Sequence, residues 1–512
     1  MASITFEGGL NEQDVTLVNP VECVEGYNFE LGSKDSHLRP RKPFDNVGTT
    51  TNAAEILGFV QLIKNDDTDT TLIQSGATVY EWDGSASFTS RGTVNAGSKL
   101  RGTTWSLGGY SVITDLAKLT VVKKWDGSSL TTLTTGLGND LYAKYGIVHL
   151  GRVWLFNVKA GVDTPHLMVA SAFENPESYD TSKRAQDSTF STGSEAFYMT
   201  TPDLLPINGV ALFFNTLIVS TENGRIWKLT GTDSTDFAWV PLYSGSSATG
   251  TETMANIGND VVYMRRGGDI ESLASVQDFG DVKADDLSRW IRTSTRGLSD
   301  CITVYDQEMQ KVYFFAGSNK LFVMFKDMTI TDLSPWSIYK TDHASSFSTS
   351  AAIYMRDPAG TDWHVYFGDT SGNIYQLDGD GDGDNGDTDI TVHRRTRYFD
   401  DIEGLNTKLQ QVRGRVEYRR VADVDLIMDF EWSDDYSITR CSVPLEGPPV
   451  GDSAAYFGGS SYFGGSFYFN TGFFYADRVS TKGFSPVGRG DGFTLMLTVT
   501  GNQNFDIMKI RV

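Results

Sequence analysis

The sequence predicts an all-β protein: a β-propeller of six or seven blades, followed by a C-terminal antiparallel β-domain. Three observations lead to this fold class. A Trp-Asp-Gly turn at Trp82 recurs at Trp125, within the spacing of about 40–50 residues typical of propeller repeats. Aromatic residues make up 12% of the chain, and 52 Gly accompany only 14 Pro, which favours short strands and tight turns. Apolar residues alternate with the period of 2 that indicates strands.

The first segment, 1–50, is predicted to be an N-terminal arm. It ends in "HLRPRKPFD", where prolines and clustered Arg39, Arg41 and Lys42 favour an extended chain over a blade. We expect Arg39 and Arg41 to contact a partner or a neighbouring subunit.

The propeller is predicted over 51–380 from a recurring pattern: a β-branched residue, two positions, Trp or Leu, one position, then Gly. Weaker copies stand at 270–273 and 321–325, and the full copies are Val79–Gly84, Val122–Gly127, Ile226–Gly231 and Ile374–Gly379. Each follows a strand and a turn, such as Asn223-Gly224, which suits a two-residue hairpin. A lone blade cannot bury both faces, so the units should pack around an axis. An irregular β-sandwich array is the alternative.

Within these copies, the tryptophans are predicted to pack and the aspartates to turn the chain. Trp82 and Trp125 should lie between neighbouring blades, while Asp83 and Asp126 should begin turns. Helix is scarce, and its best candidate is "DDLSRWIR" (285–292), which Asp285 or Asp286 can cap.

An acidic linker, 381–390, follows the last blade and carries the sharpest local signal for a ligand. In "DGDGDGDNGDTD" the alternating carboxylates match the spacing of a calcium-binding loop, with Gly383 at the turn. The predicted ligands are Asp378, Asp380, Asp382, Asp384 and Asp389. The loop departs from the usual pattern because Asp replaces the last Glu and Asn385 replaces an apolar residue. The alternative is an acidic linker without metal.

The remainder, 391–512, is predicted to be the C-terminal antiparallel β-domain, with two candidate interfaces. A basic band, 393–420, includes Arg394, Arg395 and Arg397 and suits an acidic partner or neighbouring subunit. An ordinary solvated strand face is the alternative. The aromatic repeat 456–475, with Tyr456, Phe457, Tyr462 and Phe463, should be buried against another protein or in an internal hairpin, since an apolar patch of this size is rarely exposed.

Bulk properties restrict the function classes. The net charge of −22 opposes binding to nucleic-acid phosphates. Three distant cysteines, Cys23, Cys301 and Cys441, indicate reduced thiols rather than disulfides. We expect no secretion signal and no membrane span. No hydrolase, P-loop or dinucleotide motif is present, and Arg265, Arg266 and Asp269 suit ion pairing better than glycoside cleavage, so we predict no enzyme.

Four segments, in order, carry a resemblance to a known family. Residues 8–45 open with Gly-Leu-Asn, pass an Asn28-Phe29 step and end in the basic strand Arg39-Pro40-Arg41. Then follow "NDVVYMRRGGDIESL" (259–273), "GNIYQLDGDG…ITVHRRTRYFD" (372–400) and "FSPVGRGDGFTLMLTVTG" (484–501). This pattern resembles the tail nozzle proteins of short-tailed bacteriophages, also called tail tubular protein B or tail stabilisation proteins.

The resemblance implies a structural protein of the virion tail, made in the host cytoplasm. Its copies would form a homo-hexamer below the portal, in contact with the tail adaptor protein and with tail fibres. The ring would retain packaged DNA and conduct it during genome ejection without binding it specifically. The alternative is a propeller module of a tail fibre or spike that binds the host surface, and a glycan-cleaving propeller is a third hypothesis.

Overall fold

The computed structural model describes most of the first 396 residues and a set of strands beyond them. The described residues are 3–4, 7–13, 18–19, 21–31, 38–66, 68–181, 195–222, 224–250, 252–258, 260–275, 282–316, 320–327, 333–341, 348–358, 360, 362–379, 384–385, 388, 390–396, 399–400, 409–411, 414–420, 425–434, 437–445, 454–455, 473–474, 479–484, 487–490, 492–501 and 505–511. The chain forms two compact units, one of residues 1–44, 322–344 and 378–512, the other of residues 45–321 and 345–377.

Five strands precede blade 1 in the sequence: β1 (Ser3–Ile4), β2 (Cys23–Tyr27), β3 (Phe29–Leu31), β4 (Leu38–Pro40) and β5 (Phe44–Thr49). Blade 1 is β6 (Ile56–Ile63), β7 (Asp69–Ser75), β8 (Thr78–Trp82) and β9 (Phe88–Thr93). Blade 2 is β10 (Leu100–Trp105), β11 (Tyr110–Asp115), β12 (Lys123–Trp125) and β13 (Leu130–Thr132). Blade 3 is β14 (Leu141–His149), β15 (Arg152–Ala160), β16 (Val162–Ala170) and β17 (Phe197–Thr200).

Blade 4 is β18 (Ile207–Phe213), β19 (Thr216–Thr221), β20 (Arg225–Thr230) and β21 (Ala238–Ser244). Blade 5 is β22 (Met254–Asn256), β23 (Val261–Met264), β24 (Ile270–Ser275) and β25 (Val282–Asp286). Blade 6 is β26 (Ile302–Asp306), β27 (Lys311–Phe315), β28 (Leu321–Phe325) and β29 (Trp336–Tyr339). Blade 7 takes β30 (Thr349–Arg356), β31 (Trp363–Asp369) and β32 (Asn373–Leu377) from this part of the chain.

These sheets close into a seven-bladed β-propeller. The innermost strands contact one another in the order β6, β10, β14, β18, β22, β26 and β30, and β30 contacts β6 again. Within each of blades 1 to 6 the four strands pair in sequence order, as in an antiparallel meander. A closed ring leaves no long sheet edge exposed. The predicted fold class is confirmed, and the blade number is seven.

The fourth strand of blade 7 comes from the other end of the propeller sequence. β5 pairs beside β32, so a segment that precedes blade 1 completes the last blade. The Thr49 hydroxyl donates to Asn373 Oδ1 at 2.8 Å, and Thr50 N–H donates to the Gly372 carbonyl at 2.9 Å. The predicted arm, 1–50, therefore ends in a blade strand. Pro43 stands immediately before this strand, so it takes no place in the ladder.

The recurring pattern lies on the third strand of its blades and joins each blade to both neighbours. Residues three apart in a strand point to opposite faces. Val79 accordingly packs in the core between blades 1 and 2, whereas Trp82 packs in the core between blades 7 and 1. Trp125 lies between blades 1 and 2, where its Nε1–H donates to Thr70 Oγ1 at 2.9 Å. The predicted positions of both tryptophans are confirmed.

The aspartates after these tryptophans hold turns, as predicted. Asp83 accepts hydrogen bonds from the backbone N–H and the hydroxyl of Ser85. Asp126 accepts them from Ser128 and from the backbone N–H of Ser129. The helices of the described chain are one turn long: two 3₁₀ helices, Ser106–Gly108 and Leu287–Trp290, and α1 (Arg292–Thr295). Asp286 caps the second by accepting from Ser288 N–H, as the sequence suggested.

The first unit combines both ends of the chain in antiparallel sheets. Its later strands are β33 (Ile390–Thr396), β34 (Phe399–Asp400), β35 (Leu409–Gln411), β36 (Gly414–Arg420), β37 (Asp425–Asp434), β38 (Ser437–Leu445), β39 (Ala454–Ala455), β40 (Phe473–Phe474), β41 (Val479–Phe484), β42 (Val487–Gly490), β43 (Gly492–Gly501) and β44 (Phe505–Arg511). One sheet runs β2-β33-β43-β37-β38, and another runs β3-β4-β44-β36-β41. The predicted C-terminal β-domain thus includes strands from residues 1–44.

Candidate functional site

The central channel of the propeller is the candidate functional site. The channel is lined by the innermost strands, which contain a cavity of about 230 Å³. Its walls come from six blades: Arg101–Thr103, Lys144–Ile147, Val210, Met254, Ile302–Thr303 and Ala352. Gly102 permits close packing of these strands, because a Cβ there would meet Val60 Cγ1 at 2.3 Å.

An ion pair crosses this channel. Arg101 belongs to blade 2, and Glu252 immediately precedes the first strand of blade 5, so the two blades are not neighbours in the ring. Arg101 Nε donates to Glu252 Oε1, and Nη2 donates to Oε2 at 2.5 Å. This fork-to-fork geometry is the stronger form of an arginine–carboxylate pair. Both side chains are only about one-fifth exposed, at 21% and 22%.

Backbone groups fix both partners of this pair. Arg101 Nη1 donates to the carbonyls of Leu57 at 2.9 Å and Leu100 at 2.7 Å. The Glu252 carbonyl accepts from Thr303 N–H at 2.9 Å. The ion pair therefore links blades 1, 2, 5 and 6 across the axis, and it obstructs the channel that these blades surround.

A wider cavity of about 590 Å³ opens at one end of the channel. Loops that precede the innermost strands line it, and so do loops that follow the second strands of blades 2, 6 and 7. Three of its side chains, Glu55, Glu252 and Asp300, are acidic, and Lys99 is basic. Glu252 lines both cavities, so the ion pair stands at their boundary. Burial raises the pKa of Asp300, and the charge of Glu252 raises it further.

The thiol in this cavity is poorly suited to nucleophilic chemistry. Burial raises the pKa of Cys301 to about 12, although a hydrogen bond with Thr303 opposes the shift. A protonated, buried thiol is an inert one. Among the described residues, no three His, Cys, Asp or Glu side chains come close enough to hold a metal ion.

The predicted calcium loop is only partly described. Asp380, Asp382 and Asp389 lie outside the described residues, while Asp378 has a left-handed backbone with φ of 55°. Asp384 is buried, and both of its carboxylate oxygens accept hydrogen bonds from Arg41. Calcium binding by these aspartates stays a prediction.

The predicted interface arginines occupy different environments. Arg41 is 1% exposed: besides its bond to Asp384, it donates to Asn28 Oδ1 at 3.0 Å and to the Lys340 carbonyl at 3.1 Å. Arg394 is also 1% exposed and donates to the carbonyls of Gly8 and Val21. Both guanidinium groups thus make contacts within the chain, and their predicted contacts with a partner stay a prediction.

The remaining interface residues are more open or are not described. Arg39 is half-buried on β4, and Arg395 is half-buried, 3.9 Å from a Glu25 carboxylate oxygen. Arg397, Tyr456, Phe457, Tyr462 and Phe463 lie outside the described residues. Their contacts with a partner stay a prediction.

Of the two arginines considered for glycoside cleavage, Arg265 forms an ion pair within its hairpin. Arg265 Nε donates to Asp269 at 2.8 Å, and Arg265 Nη1 lies 3.1 Å from Glu271. Sequence reasoning missed the cross-channel pair, because Arg101 and Glu252 stand 151 positions apart with no motif around either.

Comparisons with known proteins identify no family. No protein-family model matches the chain, and no curated protein matches its sequence. Solved structures similar to it include YCF48 bound to a D1 peptide, at 11% identity and TM-score 0.37, covering 66% of this chain and 97% of that one. The WD40 propeller domain of Doa1 is 9% identical with a TM-score of 0.40, and the match covers 66% of this chain and 97% of that one. Raptor from Chaetomium thermophilum is 10% identical with a TM-score of 0.41, and the match covers 66% of this chain and 29% of that one. Identities this low bear on fold alone.

One further finding concerns membranes. Within the described parts of the chain, none of the helices has the length and apolar composition needed to cross a bilayer.

Proposed function

We propose that the protein is a non-catalytic structural component of a bacteriophage tail: a nozzle subunit whose copies form a hexameric ring below the portal and its adaptor. The ring retains packaged DNA and conducts it during ejection. The resemblance of residues 8–45, 259–273, 372–400 and 484–501 to tail nozzle proteins is the basis for this proposal.

The Arg101–Glu252 ion pair is the structural observation that favours this arrangement over a ligand-binding propeller. Small-molecule sites are concave clefts or cavities, and the space around the axis is such a cavity in this propeller. Here a fork-to-fork ion pair occupies that space. A conduit for DNA must then lie between copies of the chain, which requires identical heterologous contacts that close by rotation.

Charge supports the same role. A net charge of −22 keeps phosphate groups from adhering to the protein. Screening limits this repulsion to about 8 Å at physiological ionic strength, so it acts on DNA that passes close to a wall. A conduit of this kind guides DNA without retaining it.

The experiment is native mass spectrometry of the purified protein, alone and mixed with the tail adaptor protein, with negative-stain imaging of the same mixtures. We expect six copies in a ring, formed or stabilised by the adaptor. Monomers under both conditions, together with binding to host envelope glycans, would instead establish the host-surface module.

A further inference from the structure

The turns that join the first and second strands of blades 2, 3 and 4 each expose a large apolar side chain. These are Leu107, Leu150 and Phe214, which are 67%, 38% and 53% exposed. Scattered exposed apolar residues are normal on protein surfaces. The same structural position in three consecutive blades is a pattern, because the innermost strands β10, β14 and β18 are neighbours in the ring. We call this surface the turn arc.

Two of the three residues are held in a costly backbone conformation. Leu150 has φ of 48° and Phe214 has φ of 45°. Bulky residues rarely adopt this left-handed region, which Gly and Asn tolerate far better. The chain itself uses Asn at such positions, as at Asn215 with φ of 59°. Strain of this kind concentrates at functional sites.

Contacts also hold the Phe214 ring and the backbones of the other two turns. The Phe214 ring packs edge-on against Phe213, with ring centroids 4.8 Å apart. In blade 2, Gly109 N–H donates to the Ser106 carbonyl at 3.2 Å and closes the turn around Leu107. In blade 3, Glu174 N–H donates to the Gly151 carbonyl at 2.8 Å. Rigid apolar groups lose little entropy when they bind.

The surroundings of the turn arc carry negative charge. The third-to-fourth-strand turns of a blade lie at the same end of the propeller as its first-to-second-strand turns. In blades 2–4 the described turn segments at this end are 106–109, 126–129, 150–151, 171–181, 195–196, 214–215 and 231–237. They contain neither Lys nor Arg, and their acidic residues are Asp126, Glu174, Glu177, Asp180, Glu195, Asp233 and Asp236. Glu177 pairs with Lys124 of β12 and adds no net charge. Glu174 and Asp236 are exposed.

We propose that the turn arc is a docking surface for a protein whose contact surface combines apolar side chains with lysine or arginine. Apolar contact with Leu107, Leu150 and Phe214 supplies affinity, and the carboxylates around them select a basic partner. This inference stands independently of the proposed function.

The test uses two short amphipathic peptides as probes, one of leucine and lysine and one of leucine and glutamate. Their binding to the full-length protein is followed by fluorescence anisotropy. We expect the lysine peptide to bind with an affinity that falls as salt rises, and the glutamate peptide not to bind. The variants Leu150→Asn and Phe214→Asn should each weaken binding about tenfold, as expected for residues central to an interface.

A matched control separates docking from backbone strain. Leu204 is 59% exposed with φ of 54°, but its loop lies at the opposite end of the propeller. The control variant is Leu204→Asn. Like Leu150→Asn and Phe214→Asn, it relieves strain, so each of the three should leave the melting temperature unchanged or raised. Only those in the turn arc should reduce binding.

Three results would overturn the proposal. The first is equal binding of both peptides, and the second is no binding of either. The third is concentration-dependent self-association that Phe214→Asn abolishes, which would make a second copy of this chain the occupant.

Discussion

Among single residues, Arg101 and Glu252 have the largest predicted effect on the propeller axis. Each is the other's charge partner in a site that is about four-fifths shielded from solvent. Removing one partner leaves the other charge partly buried, and such a loss costs more than the intact pair contributes.

We predict that Glu252→Gln lowers the free energy of unfolding by about 1–3 kcal/mol, because the full cost of breaking a buried pair is reduced here by partial exposure. The matched control is Glu177→Gln. Glu177 pairs with Lys124 at 2.8 Å but is 37% exposed, so its loss should cost under about 1 kcal/mol. Urea unfolding measures both. Equal losses of unfolding free energy in the two variants would show that the cross-channel pair stabilises the protein no more than a surface pair does.

The buried thiols predict a dependence of stability on alkaline pH. Burial raises the pKa of Cys23 to about 11 and that of Cys301 to about 12. Because the pKa is higher in the folded state, protonation of the thiol stabilises that state. This stabilisation is fully present below the ordinary thiol pKa of 9.0, and it is lost as pH rises to the folded-state pKa. The denaturation midpoint should therefore fall as pH rises from 9 to about 12, and Cys301→Ala should flatten this fall. Rapid alkylation of Cys301 in the native protein at pH 8 would contradict its burial.

At the scale of elements, the third strand of each blade determines the packing between blades. The spacing of three in Val79 and Trp82 sends one side chain to each neighbouring blade, and Ile226 and Leu229 repeat the arrangement in blade 4. The sequence alone revealed this pattern, because a short local spacing encodes it.

We predict that Trp125→Ala lowers the free energy of unfolding by about 3–5 kcal/mol, the usual cost of truncating a fully buried tryptophan. Trp125→Phe should cost less, since it keeps an aromatic ring in the core and loses the hydrogen bond to Thr70 and only part of the buried indole. Trp363 is half-buried and stacks on Tyr354, so Trp363→Ala is a suitable control with a smaller effect. Denaturant titrations compare the three, and similar losses for Trp125→Ala and Trp363→Ala would refute the packing role.

Local sequence patterns could not predict the features that depend on contacts between distant parts of the chain. β5 precedes blade 1 in the sequence but completes blade 7. The segment around it carries no copy of the recurring pattern, so no local signal indicates that it closes the ring. Arg41 was expected to contact a partner or a neighbouring subunit. Within the chain, its guanidinium group pairs with Asp384, which is 343 positions away in the sequence. The alternating aspartates matched a calcium loop, but spacing does not reveal that one carboxylate is already engaged by an arginine. Long-range ion pairs of this kind have no local signature.

At the scale of the whole molecule, net charge governs the encounter with DNA. A protein of charge −22 should not shift duplex DNA in a gel at about 150 mM salt, and lower salt should not produce binding, because fewer ions screen the repulsion. A shift that strengthens as salt falls would reveal a basic binding surface and would contradict the proposed passage of DNA without adhesion.

The central claim is that copies of this seven-bladed propeller surround a conduit that is separate from the channel within each propeller. Electron cryomicroscopy of the protein bound to its adaptor tests it most directly. We predict six copies around one open axis, with the Arg101–Glu252 ion pair intact across each propeller. Particles that remain single propellers in the presence of the adaptor, or DNA density inside the channel of an individual propeller, would contradict the claim.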